Sequence, residues 1–123
     1  MKNILLILIL SFLSVNASSQ IFVGEERVDI NSLDIEYCQI VGYNKSLLGQ
    51  KIIVTVDYGQ KFKFFNRQRI EDKDGKALVF NSMIDALNFM LKNGWEYEHN
   101  YAVSVGVSNV YHYLLKKNRT YET

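Results

Sequence analysis

Hydrophobic and polar residues alternate in several stretches of the chain, and such alternation predicts half-buried β-strands. Two stretches in the first half, DIEYCQIVGY and KIIVTVDYG, each end near a glycine that favours a turn. A third short stretch, KFKFF, is also rich in residues that favour strands. The strands predicted in this half of the chain therefore cover residues 34–43, 51–59 and 61–65.

Residues 69–80 (RIEDKDGKALVF) offer two extended arms around Asp74-Gly75. Asp-Gly suits a two-residue hairpin turn, because both central residues of that turn take a positive φ. The same stretch resembles the middle of a calcium-binding EF-hand loop. That alignment, however, puts Ile70 at the first ligand position and Asn81 where a bidentate Glu belongs. We therefore predict a turn and no calcium site.

A single α-helix is predicted over residues 82–93. Ser82 and Asp85 have the spacing of a capping box at its start, and Gly94 can take the left-handed conformation that ends a helix. The apolar residues fall on one stripe along the helix, as they do when a helix packs on a sheet. This stripe consists of Met83, Ala86, Leu87, Met90 and Leu91.

After the helix, residues 95–105 alternate again and predict a long strand with one apolar face. A turn at residues 106–109 leads into a last strand at 110–117. Placed beside one amphipathic helix, this hairpin would use its alternate residues to cover the core. The predicted apolar face consists of Trp95, Tyr97, His99, Tyr101, Val103 and Val105.

These elements predict an α+β fold in which an antiparallel sheet of about five strands packs against one helix at residues 82–93. The chain is long enough for one small domain. We expect a signal peptide at 1–19, a lead-in at 20–34, a single domain at 35–117 and a tail at 118–123.

The first nineteen residues have the three parts of a secretory signal peptide. Lys2 precedes an apolar run, and the small residues Ala17 and Ser19 suit cleavage after Ser19, or after Ala17 as the alternative. The apolar run is shorter than the roughly 17–25 residues that span a bilayer. No Cys follows the small residues, so we expect a periplasmic or secreted protein without a lipid anchor or membrane insertion.

Removal of residues 1–19 leaves 13 basic and 13 acidic residues, so the exported chain has no net charge. A neutral chain of interspersed charges lacks the basic surface that nucleic acid requires. The lone Cys38 lies in an apolar stretch, and burial is the usual place of a free Cys. We expect no nucleic-acid partner, no intramolecular disulfide and no cofactor.

Catalytic motifs are missing from the sequence: it has no Gly-rich phosphate loop, no nucleophile elbow and no Cys or His pair at ligand spacing. The nearest approach to a metal set is Glu96, Glu98 and His112, which we interpret as a solvated face. We therefore predict no metal site and no catalytic residue. The candidates for ligand binding are the aromatic residues Tyr97, His99, Tyr101, Tyr111 and Tyr113.

The C-terminal part, with its helix, Asn93-Gly94-Trp95-Glu96, long strand and closing strand YHYLLKK at 111–117, resembles domain of unknown function 4177 of bacteria. The resemblance covers residues 82–117 and implies a helix on an antiparallel sheet. It implies no activity and no functional residue. The strand-rich first half and the export signal are similar to small exported proteins of Gram-negative bacteria, which implies the periplasm.

Two functions from different classes fit this sequence. The first is a non-enzymatic module of the bacterial cell envelope that binds another envelope or exported protein through its sheet. The alternative is a small-molecule binder or hydrolase with an aromatic pocket between helix and sheet. We favour the first, because the sequence offers no catalytic set. It leaves the oligomeric state open.

Overall fold

The computed structural model describes residues 19–44, 51–61 and 68–119. The proposed signal peptide lies outside these residues apart from Ser19, and the strand predicted at 61–65 lies outside them apart from Lys61. The strands are β1 (Phe22–Val23), β2 (Val28–Asp29), β3 (Tyr37–Asn44), β4 (Ile52–Asp57), β5 (Ile70–Glu71), β6 (Val79–Phe80), β7 (Trp95–Val105) and β8 (Ser108–Lys117). The helix α1 spans Met83–Lys92.

The main sheet has five antiparallel strands in the order β6-β4-β3-β8-β7. Its centre is the pairing of β3 with β8, which runs from Tyr37 opposite Lys116 to Tyr43 opposite Val110. α1 packs on one side of this sheet, so the predicted α+β fold is confirmed. Within the described part of the chain, no helix has both the length and the apolar character needed to cross a bilayer.

α1 begins and ends where the sequence predicts. The Ser82 hydroxyl accepts a hydrogen bond from the Asp85 amide at 3.1 Å, and the Asp85 carboxylate accepts one from the Asn81 amide at 2.9 Å. The first bond satisfies an amide that the first helical turn leaves without a partner, and the second joins the residue before the cap to this turn. Gly94 follows the helix with φ +95°, in the left-handed region that favours glycine.

The buried side of α1 lies over the centre of the sheet. Met83, Ala86 and Met90 are buried, and Met83 lies over Gly42 of β3. A Cβ atom built on Gly42 would stand 2.1 Å from Met83 Sδ. A side chain at position 42 would therefore force the end of the Met83 side chain to move from its buried position.

Residues 20–34, assigned above to a lead-in, contribute to the same hydrophobic core as the rest of the domain. Ile21, Val23 and Ile30 are almost completely buried within it. β1 pairs with β2 on one side and with β5 on the other, forming a small three-stranded sheet. The strands of this sheet are two residues long, too short for alternation to predict them.

The turn around Asp74-Gly75 differs from the predicted two-residue turn. Gly75 has φ +84°, but Asp74 does not take a positive φ. Hydrogen bonds from the Gly75 amide to the Asp72 carbonyl and from the Asp72 amide to the Lys76 carbonyl enclose a three-residue loop. The Asp72 carboxylate also accepts from the Asp74 and Lys76 amides, which favours this longer turn.

Candidate functional site

An irregularity in β7 divides this strand into two parts that face opposite ways. Tyr97 lies opposite Leu115 of β8, but His99, two residues later, lies opposite Leu114, only one residue away. One extra residue is therefore present in β7, which is a β-bulge. Since side chains alternate between the two faces of a strand, one extra residue moves all later side chains to the other face.

The predicted single apolar face of β7 is therefore wrong beyond Tyr97. Trp95 and Tyr97 lie on the side of the sheet that faces α1, as predicted. The residues that follow the bulge turn their odd-numbered side chains to the opposite side. The stacking of Tyr101 on His112, and the contact of Tyr97 with Tyr113, agree with this division.

On the helix side, Trp95 is 1% exposed and belongs to the core, as predicted. Tyr97 is 47% exposed, its ring lies 6.2 Å from that of Tyr113, and its hydroxyl donates a hydrogen bond to the Asn100 side chain. Tyr111 and Tyr113 are half-buried and pack against the core. The three tyrosines thus flank the core beside α1.

The opposite side of the sheet, which we call the outer face, is not covered by α1. Its open part is formed by the three neighbouring strands β3, β8 and β7. Pairing and alternation place fourteen side chains on it: Tyr37, Gln39, Val41 and Tyr43 of β3, Ser108, Val110, His112, Leu114 and Lys116 of β8, and Glu96, His99, Tyr101, Val103 and Val105 of β7.

Tyr101 and His112 form the centre of the outer face. Their rings are stacked with centroids 4.5 Å apart and planes 8° from parallel. The Gln39 side-chain amide donates a hydrogen bond to the Tyr101 hydroxyl at 3.2 Å. These two contacts restrict the position of the Tyr101 ring on the outer face. His112 Nδ1 is buried and has no hydrogen-bond partner.

The five residues predicted to bind a ligand are not brought together. Tyr97, Tyr111 and Tyr113 lie on the helix side, whereas His99 and Tyr101 lie on the outer face. A single pocket between helix and sheet cannot be lined by all five, because the sheet separates the two groups. Whether either group binds a ligand stays a prediction.

The outer face also contains residues that the sequence analysis did not single out, namely Tyr37, Gln39 and Val41 of β3. β3 is apolar on both faces, as central strands are, so alternation could not assign its exposed residues. The bulge had one signal. Glu98, His99 and Asn100 form a run of three polar residues that interrupts the alternation.

The site has few groups suited to chemistry. Among the described residues, no three His, Cys, Asp or Glu side chains lie where they could hold a metal ion. Glu96 lies opposite Lys116 and His112 lies opposite Tyr101. Cys38 is buried, and this burial, with a smaller contribution from the charge of Asp57, raises the pKa of its thiol to about 12. A neutral buried thiol is a poor nucleophile.

Comparison with family models, with curated proteins and with solved structures finds no match to this chain. The resemblance of residues 82–117 to domain of unknown function 4177 therefore stays a prediction.

Proposed function

We propose that the protein is a non-enzymatic interaction module of the bacterial cell envelope, and that its outer face binds another envelope or exported protein. The observation that carries this proposal is the exposure of large apolar side chains on one side of the sheet. Tyr101 is 46% exposed, Val103 44% and Val105 61%, and Tyr37 is 45% exposed on the same face.

A row of exposed apolar side chains such as Tyr101, Val103 and Val105 is costly in water and is typical of contact with another macromolecule. Tyrosines at the centre of a surface often supply much of the binding energy, because they bury a large area with few rotatable bonds. Tyr101 fits this role, since stacking on His112 already restricts its ring before a partner arrives.

The start of the core supports the export part of the proposal. Ile21 is the first core residue, and its amide donates a hydrogen bond to the Asp29 carboxylate at 3.0 Å. Cleavage after Ser19 would leave this residue in place. The mass of the mature protein recovered from the periplasm tests cleavage: we expect a chain that begins at Gln20, and a full-length chain in the inner membrane would contradict export.

Two tyrosines of β7 provide a matched pair for testing the binding surface. Tyr97 and Tyr101 are 47% and 46% exposed on opposite sides of the sheet. A photoreactive phenylalanine at position 101 should cross-link a partner in cells of the native host, whereas the same residue at position 97 should not. Tyr101→Ser should then reduce recovery of that partner at least tenfold, and Tyr97→Ser should reduce it little.

Cross-linking from position 97 alone, or equal effects of the two serine variants, would contradict the proposal. Capture of a small molecule near position 97 would instead favour the alternative function. That alternative now relies on Tyr97, Tyr111 and Tyr113, which share the helix side with the Asn100 side chain.

A further inference from the structure

β7 is the outermost strand of the main sheet among the described residues. The part of β7 after the bulge, residues 99–105, has none of the features that usually protect a sheet edge. Residues 99–105 (HNYAVSV) contain no charged residue, no Pro and no Gly. Natural edge strands usually carry charges, prolines or bulges that prevent pairing with other chains. In β7 the bulge and both glutamates lie before His99, so none of them prevents residues 99–105 from pairing with another strand.

The turn at the end of β7 determines which backbone groups point away from the sheet. Gly106 and Val107 form a two-residue turn, in which Gly106 has φ +64°. In such hairpins the flanking residues, here Val105 and Ser108, are hydrogen-bonded to each other. Because hydrogen-bonded and non-bonded pairs alternate along an antiparallel ladder, every second residue of β7 turns its N–H and C=O outward. The outward residues are Asn100, Ala102 and Ser104.

Two backbone hydrogen bonds at the other end of the hairpin agree with this assignment. The Lys117 amide donates to the Glu36 carbonyl at 2.7 Å, on the β3 side. The next amide, that of Asn118, donates to the Gly94 carbonyl at 2.8 Å, on the β7 side. Even-numbered residues of β8 therefore bond to β7. These include His112 and Val110, which lie opposite the inward-bonding residues of β7.

We propose that β7 pairs with β7 of a second copy of this chain, antiparallel and about a two-fold axis at Ala102. In this register Asn100 bonds to the partner's Ser104, Ala102 bonds to the partner's Ala102, and Ser104 bonds to the partner's Asn100. Three residues with two outward groups each give about six hydrogen bonds. A shift of the axis to Tyr101 or Val103 would use only two of the three outward residues.

The segment is complementary to itself in charge and in side-chain type. The uncharged residues 99–105 oppose one another, whereas Glu98 of the two copies would be about 27 Å apart at roughly 3.4 Å per residue. Asn100 and the partner's Ser104 place an amide beside a hydroxyl on the helix side. Tyr101 lies beside the partner's Val103 on the outer face, an aromatic and β-branched pair that stabilises antiparallel sheets. These pairings favour a second copy over an unrelated strand.

Substitution at Ala102 tests this dimer directly. The Ala102 amide points away from β8, so Ala102→Pro removes both hydrogen bonds of the Ala102–Ala102 pair between copies and none within the chain. Ala102→Val keeps the amide and adds a similar volume, and serves as the control. In sedimentation of the protein purified after expression of the full chain, we expect dimers at high concentration for wild type and Ala102→Val. Ala102→Pro should remain monomeric throughout.

Amide hydrogen exchange of the wild-type protein gives a second readout that does not depend on the fold of a variant. The amides of Asn100, Ala102 and Ser104 should exchange quickly at low concentration and at least tenfold more slowly in the dimer. The amides of Tyr101 and Val103, which bond to β8, should be protected at every concentration.

A wild-type protein that stays monomeric at about 1 mM, or a dimer that persists in Ala102→Pro, would overturn the inference. Exchange at the three outward amides that does not change with concentration would also overturn it. These outcomes test the dimer and do not decide whether the proposed function is correct. A monomer that still cross-links a partner from position 101 would retain the proposed function, and a dimer without such a partner would retain only the inference.

Discussion

The indole N–H of Trp95 donates a hydrogen bond to the Asn31 side-chain oxygen at 2.8 Å, and so joins the start of β7 to the N-terminal segment. The Asn31 side-chain amide donates in turn to the carbonyls of Asn93, at 2.9 Å, and Ser19, at 3.0 Å. One side chain thus connects the end of α1 with the buried tryptophan, and the proposed cleavage after Ser19 would remove only its bond to the Ser19 carbonyl. A buried indole N–H is stable only with such an acceptor.

Trp95→Ala should cost about 3–5 kcal/mol, because it removes the largest fully buried side chain. Asn31→Ala should cost about 1–3 kcal/mol, because it leaves the indole N–H buried without a partner. Denaturant melts measure both free energies of unfolding. Glu96→Ala, on an exposed neighbour, should stay within about 0.5 kcal/mol and is the control. A normal melt for Trp95→Ala would contradict the assignment of this residue to the core.

Gly42→Ala should destabilise the protein by about 1–3 kcal/mol, because the new methyl group would collide with Met83. Met83→Ala alone should cost about 2–5 kcal/mol through the cavity that it leaves. In the double variant the methyl group occupies part of that cavity. Denaturant melts of the four proteins in this cycle should show a total cost smaller than the sum of the single costs. Additive costs would contradict the close contact between helix and sheet.

The Cys38 thiol should not react with a thiol reagent at pH 8 while the protein is folded, because burial raises its pKa to about 12 from an ordinary 9.0. It should react fully in denaturant, and an exposed Ser104→Cys variant should react quickly in the folded state. A raised pKa contributes stability that is present below pH 9.0 and lost as the pH rises towards 12. Rapid labelling of the folded wild-type protein would contradict the burial of Cys38.

Asp72 should make stability depend on pH in the acid range. The hydrogen bond from the Lys76 amide is the main cause that lowers the pKa of Asp72 below its ordinary 3.8, and the Asp74 amide adds to it. A lowered pKa contributes stability that is present above 3.8 and lost as the pH falls through the lower value. Urea melts of wild type and Asp72→Asn should therefore differ more at pH 6 than at pH 2. Lys73→Gln, in the same loop, should leave this difference in place, and a constant difference would contradict the role of Asp72.

The sequence alone predicted the elements that local spacing determines. The cap residues of α1 and the glycine after it lie within one short segment, and the structure agrees with them to within a residue at each end. Of the predicted apolar stripe, Met83, Ala86 and Met90 are buried and Leu87 packs against the core, whereas Leu91 is 37% exposed. The hairpin of β7 and β8 was predicted for the same reason, since its strands are adjacent in the chain. Hydrophobic periodicity predicts α1 and this hairpin because each of them depends only on residues that are close together in the chain.

Features that depend on distant residues could not be predicted. The pairing of Tyr37 with Lys116, which sets the order of the sheet, has no local signal. Asn31 and Trp95 contact each other although they are 64 residues apart in the chain. The bulge after Tyr97 escaped prediction because apolar residues continue at odd positions on both sides of it. The candidate site therefore divides within the polar run 98–100, although the odd-numbered positions alone show no change of face.

The one extra residue in the bulge determines which side chains in the second half of β7 lie on the outer face. If β7 kept Glu98 but lost the bulge, plain alternation from Trp95 onward would turn Tyr101 inward beside the helix and send the small residues Ala102 and Ser104 to the outer face. The composition would not change at all, yet inside and outside would be exchanged for half a strand. Deletion of Glu98, in contrast, would remove the extra residue and leave Tyr101 opposite His112 on the outer face.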